Sequence, residues 1–314
     1  MKIIFLFLCF LICFSKLIDQ IRKDIVGKAL LNLSKRENLD ILKMCLEMVA
    51  FKSTYSLNDT ESAYLVYKWI SQNIEYDSKG EKQGNSSTAI TTVYKTGKGG
   101  VTGITGLFNT MCSLLKIEAD TILGLTKTLS DDYPRKIIVK DYSWNYILID
   151  NEYYLIDVVK AIKLKKSNKI DFYFGTNPEA SIRLHFPNDN KWQLLPKIIT
   201  KEEFKSMAYL DEGFFSLGLK TISPDIQSFN NSKTYRIRIT SDNSFDEIFD
   251  QLEIHFFAEK KGELPEVGIY LKFDKISNGV YEFNYSLYDN GFVDIYFENT
   301  KTKETFSLVC FDRV

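Results

Sequence analysis

The spacing of the apolar residues changes once along the chain, and that change limits the folds open to it. Up to about residue 205 they recur mainly at three- and four-residue intervals, interrupted by a few strand-like runs. Beyond about 212 they gather into short β-branched and aromatic runs: Thr234–Ile239, Leu252–Phe257, Val267–Phe273, Val280–Tyr285, Phe292–Phe297 and Phe306–Phe311. Ser277-Asn278-Gly279 and Asp289-Asn290-Gly291 punctuate them as turns. Short strands repeated at this pitch form antiparallel sandwiches. The expected fold class is therefore α+β: a mixed domain over residues 16–208, then an all-β, immunoglobulin-like sandwich over 212–314.

The start of the chain stands apart from both. Lys2 precedes an unbroken apolar run of 12 residues, Ile3 to Phe14. A bilayer span needs about 20 residues, whereas a run of this length after a positive start fits a secretory signal peptide. Residues 1–15 are expected to be that signal, making the protein secreted or extracellular with no stable membrane span after cleavage. An uncleaved run would instead anchor the N-terminus in a membrane. Five Asn-x-Ser/Thr sequons, at Asn32, Asn58, Asn85, Asn230 and Asn284, would then be open to glycosylation.

Composition removes whole classes of function. Forty basic against 41 acidic side chains leave a net charge of −1 and no field to hold nucleic acid or anionic lipid; the expected partner is a protein or cell-surface ligand. With two histidines in the whole chain, a multi-histidine metal centre has too few ligands, and neither metal nor cofactor is expected. Cys9 and Cys13 would leave with the signal. Cys45, Cys112 and Cys310 remain, an odd number that allows at most one internal disulfide. Cys45 and Cys112 lie among apolar helical residues and read as small buried hydrophobes.

Within the first domain, residues 18–50 read as helical, with Leu39, Leu42, Cys45, Leu46 and Val49 on one face. A second helix begins at Asn58, with Glu61 three positions on as in a capping box, and carries Ala63, Tyr64, Tyr67, Ile70 and Ile74 on its apolar side, with Trp69 beside them. After Tyr76-Asp77, the residues Ser78, Gly80 and Gly84 announce a loop. Lys95 to Gly100 is rich in glycine and lysine, but no Gly-Lys-Ser/Thr follows to make a phosphate cradle. A third helix starts near Thr102, with Ile104, Leu107, Phe108, Met111 and Leu115 on one face. Strands are expected at Ala119–Leu125, Ile137–Val139, Trp144–Ile149 and Tyr153–Val158, the last two joined as a hairpin by Asp150-Asn151-Glu152.

Five stretches, taken in order, resemble the transglutaminase-like superfamily, within the cysteine-proteinase-like fold. Trp69 to Asp77 resembles the family's helix ending in Tyr-Asp, and Gly97 to Gly106 its glycine-rich approach to the nucleophile helix. Tyr142-Ser143-Trp144-Asn145 is similar to the His-Ala-Trp-Asn motif, and Tyr154-Leu155-Ile156-Asp157 to the strand bearing the triad acid. His185-Phe186-Pro187 through Trp192-Gln193-Leu194-Leu195 resembles the kyphoscoliosis-peptidase-like branch. The resemblance implies a transglutaminase core over roughly residues 60 to 196, with a Cys–His–Asp triad for acyl transfer. Thr102 stands where the cysteine would be, Tyr142 where the histidine would be, and Asp157 is retained.

The two replacements remove the chemistry. A cysteine at a helix N-terminus is acidified by the dipole and a neighbouring histidine, which shuttles the proton while a carboxylate orients it. A threonine hydroxyl needs a base, and a tyrosine, with a pKa of about 10, is protonated near neutral pH. Cys112 lies ten residues past Thr102, about 15 Å along a helix axis, too far to substitute. His185 reads as structural, His255 as a strand position, Trp144 as core, and Asp157 as an acceptor for the phenol of Tyr142. The expected protein is a secreted, catalytically inactive member of the superfamily that binds or scaffolds. Two alternatives remain: a hydrolase or acyltransferase with an unconventional Thr102/Tyr142/Asp157 site, or an adhesion protein whose working part is the sandwich.

Overall fold

The computed structural model describes residues 17–38, 40–129, 137–165, 169–226, 228–229, 234–242, 252–260, 266–267, 274–286, 291–299 and 305–313. The expected signal peptide, Leu39, Asn230 and most of the Val267–Phe273 run lie outside them. So do the side chains of His255, Asn284 and Cys310. The chain forms two compact units that interleave along the sequence. One comprises Met1–Gly124, Asp141–Ser181 and Pro187–Leu194, and the other Leu125–Lys140, Ile182–Phe186 and Leu195–Val314. The sequence pattern suggests a single cut near 208; in space, two short excursions of the earlier chain already belong to the second unit.

The expected helix over 18–50 is broken. It contains α1 (Lys23–Asn32) and α2 (Ile41–Thr54), with Asp40 capping α2 through Lys43 N–H at 2.8 Å. The buried side of α2 is Met44, Cys45 and Met48, whereas Leu42 and Leu46 are 53% and 59% exposed. The leucine spacing picks the wrong stripe because Met44 and Met48 repeat at the same four-residue interval two positions further on.

Helix α3 (Asp59–Asn73) starts at Asn58 with both halves of a capping box, as its sequence predicts. Eleven of its 15 residues are buried, so it is a central helix rather than an amphipathic one. Glu61 is fully buried there, its carboxylate taking Arg22 Nε and Nη2, each at 2.6 Å.

Next come β1 (Glu75–Tyr76), the short α4 (Ser78–Lys82), α5 (Ile90–Thr96), β2 (Lys98–Gly99) and α6 (Val101–Leu114). Helix α6 buries Ile104, Leu107, Phe108 and Met111, the face that its spacing predicts. The strands β3 (Glu118–Leu129), β4 (Ile137–Ile149) and β5 (Glu152–Ile156) follow, then α7 (Val158–Lys163) and β6 (Phe174–Thr176). β4 is one continuous strand where two were expected. It turns into β5 through Asp150 and Asn151 alone, both at positive φ (50° and 64°), with Ile149 opposite Glu152. With β7 (His185–Pro187), which follows α8 (Pro178–Leu184), these strands make a sheet of order β6-β5-β4-β3-β7.

In the second unit, α9 (Lys201–Ser206) brings Phe204 against Ile182 and Phe186. Lys127 is fully buried there and donates from Nζ to the carbonyl of Met207 at 2.6 Å, just past the C-terminus of α9. Further on, β8 (Tyr209–Leu210), β9 (Leu219–Ser223), β10 (Ser228–Phe229), β11 (Thr234–Ser241), β12 (Leu252–Lys260), β13 (Glu266–Val267), β14 (Asp274–Ser277), β15 (Val280–Ser286), β16 (Gly291–Asn299) and β17 (Thr305–Arg313) form two sheets. One has the order β10-β17-β16-β12-β13 with β8 on β17, the other β14-β15-β11-β9. Pairing is antiparallel apart from β10 with β17. In β11, Ile237 and Ile239 are buried and Arg236 and Arg238 exposed, and Ile239 sits opposite Ile222 on one side and Tyr281 on the other. That alternation is a sheet with one covered face.

Candidate functional site

Parallel pairing of β1 with β2 sets Tyr76 opposite Gly99, so the end of the α3 segment lies beside the glycine-rich run. Asp77 caps α4 through Gly80 N–H at 3.0 Å and pairs with Lys98 at 3.1 Å. The glycines serve close approach. A Cβ on Gly100 would overlap Glu81 Oε2 and Ser86 Oγ, and Gly97 adopts a left-handed conformation (φ 71°) that ends α5.

Helix α6 therefore begins at a crowded point. Its cap, Gly100, donates its N–H to Ser87 O at 3.2 Å, and Val101 N–H donates to Glu81 Oε2 at 3.0 Å. Ser86 Oγ, 2.9 Å away, holds the same carboxylate oxygen. The body of the helix is tied to the sheet by the amides of buried Asn145 and half-buried Asn109. Asn145 Nδ2 donates to Thr105 O at 3.1 Å and to Asn109 Oδ1 at 2.7 Å, and Asn109 Nδ2 donates to Thr121 Oγ1 at 2.8 Å. These bonds fix the register of α6 over β4, and with it the distance from the start of the helix to Tyr142.

Of the three residues carried over by resemblance, the structure brings two together. Tyr142 Oη lies 3.0 and 3.2 Å from the two carboxylate oxygens of Asp157. Both residues are buried, and Asp157 also caps α7 through Lys160 N–H at 2.8 Å. Burial, then the adjacent Asp157 charge and its hydrogen bond, push the Tyr142 phenol well above its ordinary pKa. Tyr142 is thus a neutral donor over the accessible pH range and has no basic character to lend. Thr102 lies on the exposed side of the first turn of α6. The link between helix and strand at this level is the 3.5 Å approach of Thr105 Oγ1, which donates to Thr102 O, to Ser143 Oγ.

A fourth group went unread in the sequence. Glu81 contributes to the electrostatic environment of Tyr142, as does Tyr76, whose ring lies under Lys163 Nζ at 4.3 Å. A single glutamate in a Ser/Gly-rich stretch carries no sequence signal of this placement; only the packing of α4 on α6 creates it. The other candidates fall elsewhere. Trp144 and His185 are buried, and the His255 backbone pairs with Tyr296 inside β12. Cys112 is buried in α6 with its thiol pKa raised by desolvation, and burial pushes Cys45 up to about 12. Among the described residues no group of three or more His, Cys, Asp or Glu side chains is placed to hold a metal ion. No described helix is long and apolar enough to cross a membrane.

A profile of the transglutaminase-like superfamily matches residues 49–158, a span that runs from α2 to the acid at the end of β5. Human kyphoscoliosis peptidase is 26% identical over 226 residues, covering 66% of this chain and 34% of its own. The fission-yeast cytokinesis protein 3, from Schizosaccharomyces pombe, is 27% identical over 173 residues, covering 53% of this chain and 19% of its own. The chain thus spans about a third or less of the length of these relatives. A crystal structure of a TGase superposes on 40% of this chain with a TM-score of 0.29 and 10% identity. Together, the profile match and these relatives identify residues 49–158 as a transglutaminase-like domain of the kyphoscoliosis-peptidase-like branch.

Proposed function

We propose that the protein is a catalytically inactive member of the superfamily that acts by binding or scaffolding, is exported, and carries its second unit as an immunoglobulin-like sandwich. One observation bears the most weight. The triad acid is closed onto a buried phenol instead of an imidazole, with Tyr142 Oη 3.0 Å from Asp157 Oδ1. The pair works as a buried strut that holds α7 against β4, and its proton stays on the phenol. The threonine at 102 is exposed on the first turn of α6, and losing triad members leaves only about 10³–10⁴ of rate over water.

The reading predicts that the purified chain incorporates no primary amine into glutamine-bearing substrates, turns over no peptide substrate and forms no covalent adduct at Thr102. Turnover that Thr102→Ala abolishes would overturn it in favour of an unconventional Thr102/Tyr142/Asp157 enzyme. Export is tested separately: expression in a secretory host should deliver the chain to the medium with an N-terminus near residue 16. The proposed partner is a protein or cell-surface ligand, and the balanced charge of the chain argues against nucleic acid.

A further inference from the structure

We propose that Glu81 is a built-in occupant of the anion position at the start of α6, a block on acyl-transfer chemistry independent of the replacements at 102 and 142. The inference rests on the inactive reading above and adds a separate cause to it. The first turn of a 14-residue helix is where unsatisfied N–H groups and the helix dipole favour negative charge. In an acyl-transfer enzyme, a thiolate and an oxyanion would use that field. Here the chain supplies the negative charge itself. Glu81 Oε2 takes Val101 N–H at 3.0 Å and Ser86 Oγ at 2.9 Å, and it fills the space that the missing Cβ of Gly100 leaves open.

The arrangement is held from behind. Asp77 caps α4, Asn85 and Ser86 donate their N–H groups to Gly80 O at 2.8 and 3.1 Å, and Gly100 N–H closes onto Ser87 O. Gly103 has its Cα surface against that same Ser87 carbonyl. The segment from Asp77 to Ser87 is thus a folded clasp with its carboxylate on the helix start. A thiolate at position 102 would form one residue from this fixed negative charge, in a field already spent on Glu81. The titratable groups acting on Tyr142 include Asp157, Tyr76 and Glu81, with the Lys163 ammonium stacked on Tyr76, and the Asp77–Lys98 pair lies at the start of the clasp.

The consequence is that restoring the two replaced side chains is not enough. The test places a cysteine at the nucleophile position, Thr102→Cys, with and without Glu81→Gln, which keeps an oxygen for Val101 N–H but removes the charge. The rate of carboxamidomethylation by iodoacetamide, in which the thiolate displaces iodide, is read at residue 102 by peptide mass spectrometry as a function of pH. The buried Cys45 and Cys112 serve as slow internal controls. Removing the charge should lower the pH midpoint by about one unit and raise the neutral-pH rate about tenfold. Gly100→Ala, which crowds the carboxylate off the helix start without changing its charge, should move the rate in the same direction.

Identical rates and midpoints across these backgrounds would overturn the proposal. If Glu81→Gln fails to fold, hydrogen exchange on the native chain decides: Val101 N–H should be protected beyond the first-turn amides of α1, and an unprotected Val101 amide would also overturn it. Thr102-dependent turnover by the native chain would instead overturn the inactive reading, while the thiol comparison still reports on Glu81.

Discussion

At the scale of single residues, protonation decides what the site can do. Tyr142, Tyr67 and Tyr64 all have phenols raised by burial and by neighbouring carboxylates, Asp157 and Asp171. A group whose folded pKa lies above its unfolded value adds stability below the unfolded pKa, and that contribution is lost as pH rises through the folded one. The protein should therefore hold its stability to about pH 10 and lose it above. Ultraviolet titration should show these three phenols missing from the main tyrosinate transition until the chain unfolds. Tyr142→Phe should cost about 1–2 kcal/mol in denaturant melts, because it strips Asp157 of one buried donor. Cys45 and Cys112 are free and buried, so both should resist thiol reagents at neutral pH in the native state and react once the chain is denatured. The identities of the side chains at 142 and 157 were legible in the sequence; that the phenol of Tyr142 donates to Asp157 was decided by the fold. The role of Glu81 was not, because nothing local distinguishes a surface glutamate from one seated on a helix start.

Among the elements, α3 was the best read and α2 the worst. The Asn58/Glu61 capping box depends on residues three apart, so local spacing specifies it and the structure contains it. The same Glu61 also receives Arg22, at the start of α1, a contact 39 residues away that no local pattern encodes. Hydrogen bonds from Arg22 hold the Glu61 carboxyl below its usual range. That contribution is present above the ordinary glutamate pKa and is lost as pH falls through the folded value, so acid unfolding should begin by separating α1 from α3. Arg22→Ala should lower stability clearly at neutral pH and much less in acid, read from urea melts at the two conditions. On α2, periodicity alone marks Leu42 and Leu46 as core, yet they face solvent while Met44 and Met48 are buried. Leu42→Lys and Leu46→Lys should each change stability by less than about 0.5 kcal/mol, whereas Met48→Ala should cost about 2–4 kcal/mol.

For the molecule as a whole, the change in pattern near 212 marks a change of architecture but not the edge of the compact unit. Residues 125–140, 182–186 and 195–211 belong with the later strands, and Leu210 in β8 pairs with Val309 in β17. A fragment of residues 195–314 should therefore melt at a higher temperature by circular dichroism than one of 212–314, which loses β8 and its pairing with β17. Equal melting of the two would mean that the second unit needs only its strands.

What the amino-acid order determined by itself was whatever local spacing can carry: the capped helix at 58, the apolar face of α6, the presence of a tight turn before β5, the run of late strands, and the identity of the side chains at 102, 142 and 157. Tertiary structure decided which apolar stripe of α2 is buried, that Tyr142 spends its proton on Asp157, and that Glu81 sits on the start of α6. The division has one physical cause. Helix and strand periodicity act between residues a few positions apart, whereas burial, electrostatic coupling and the filling of a helix terminus depend on which distant segments share the same small volume.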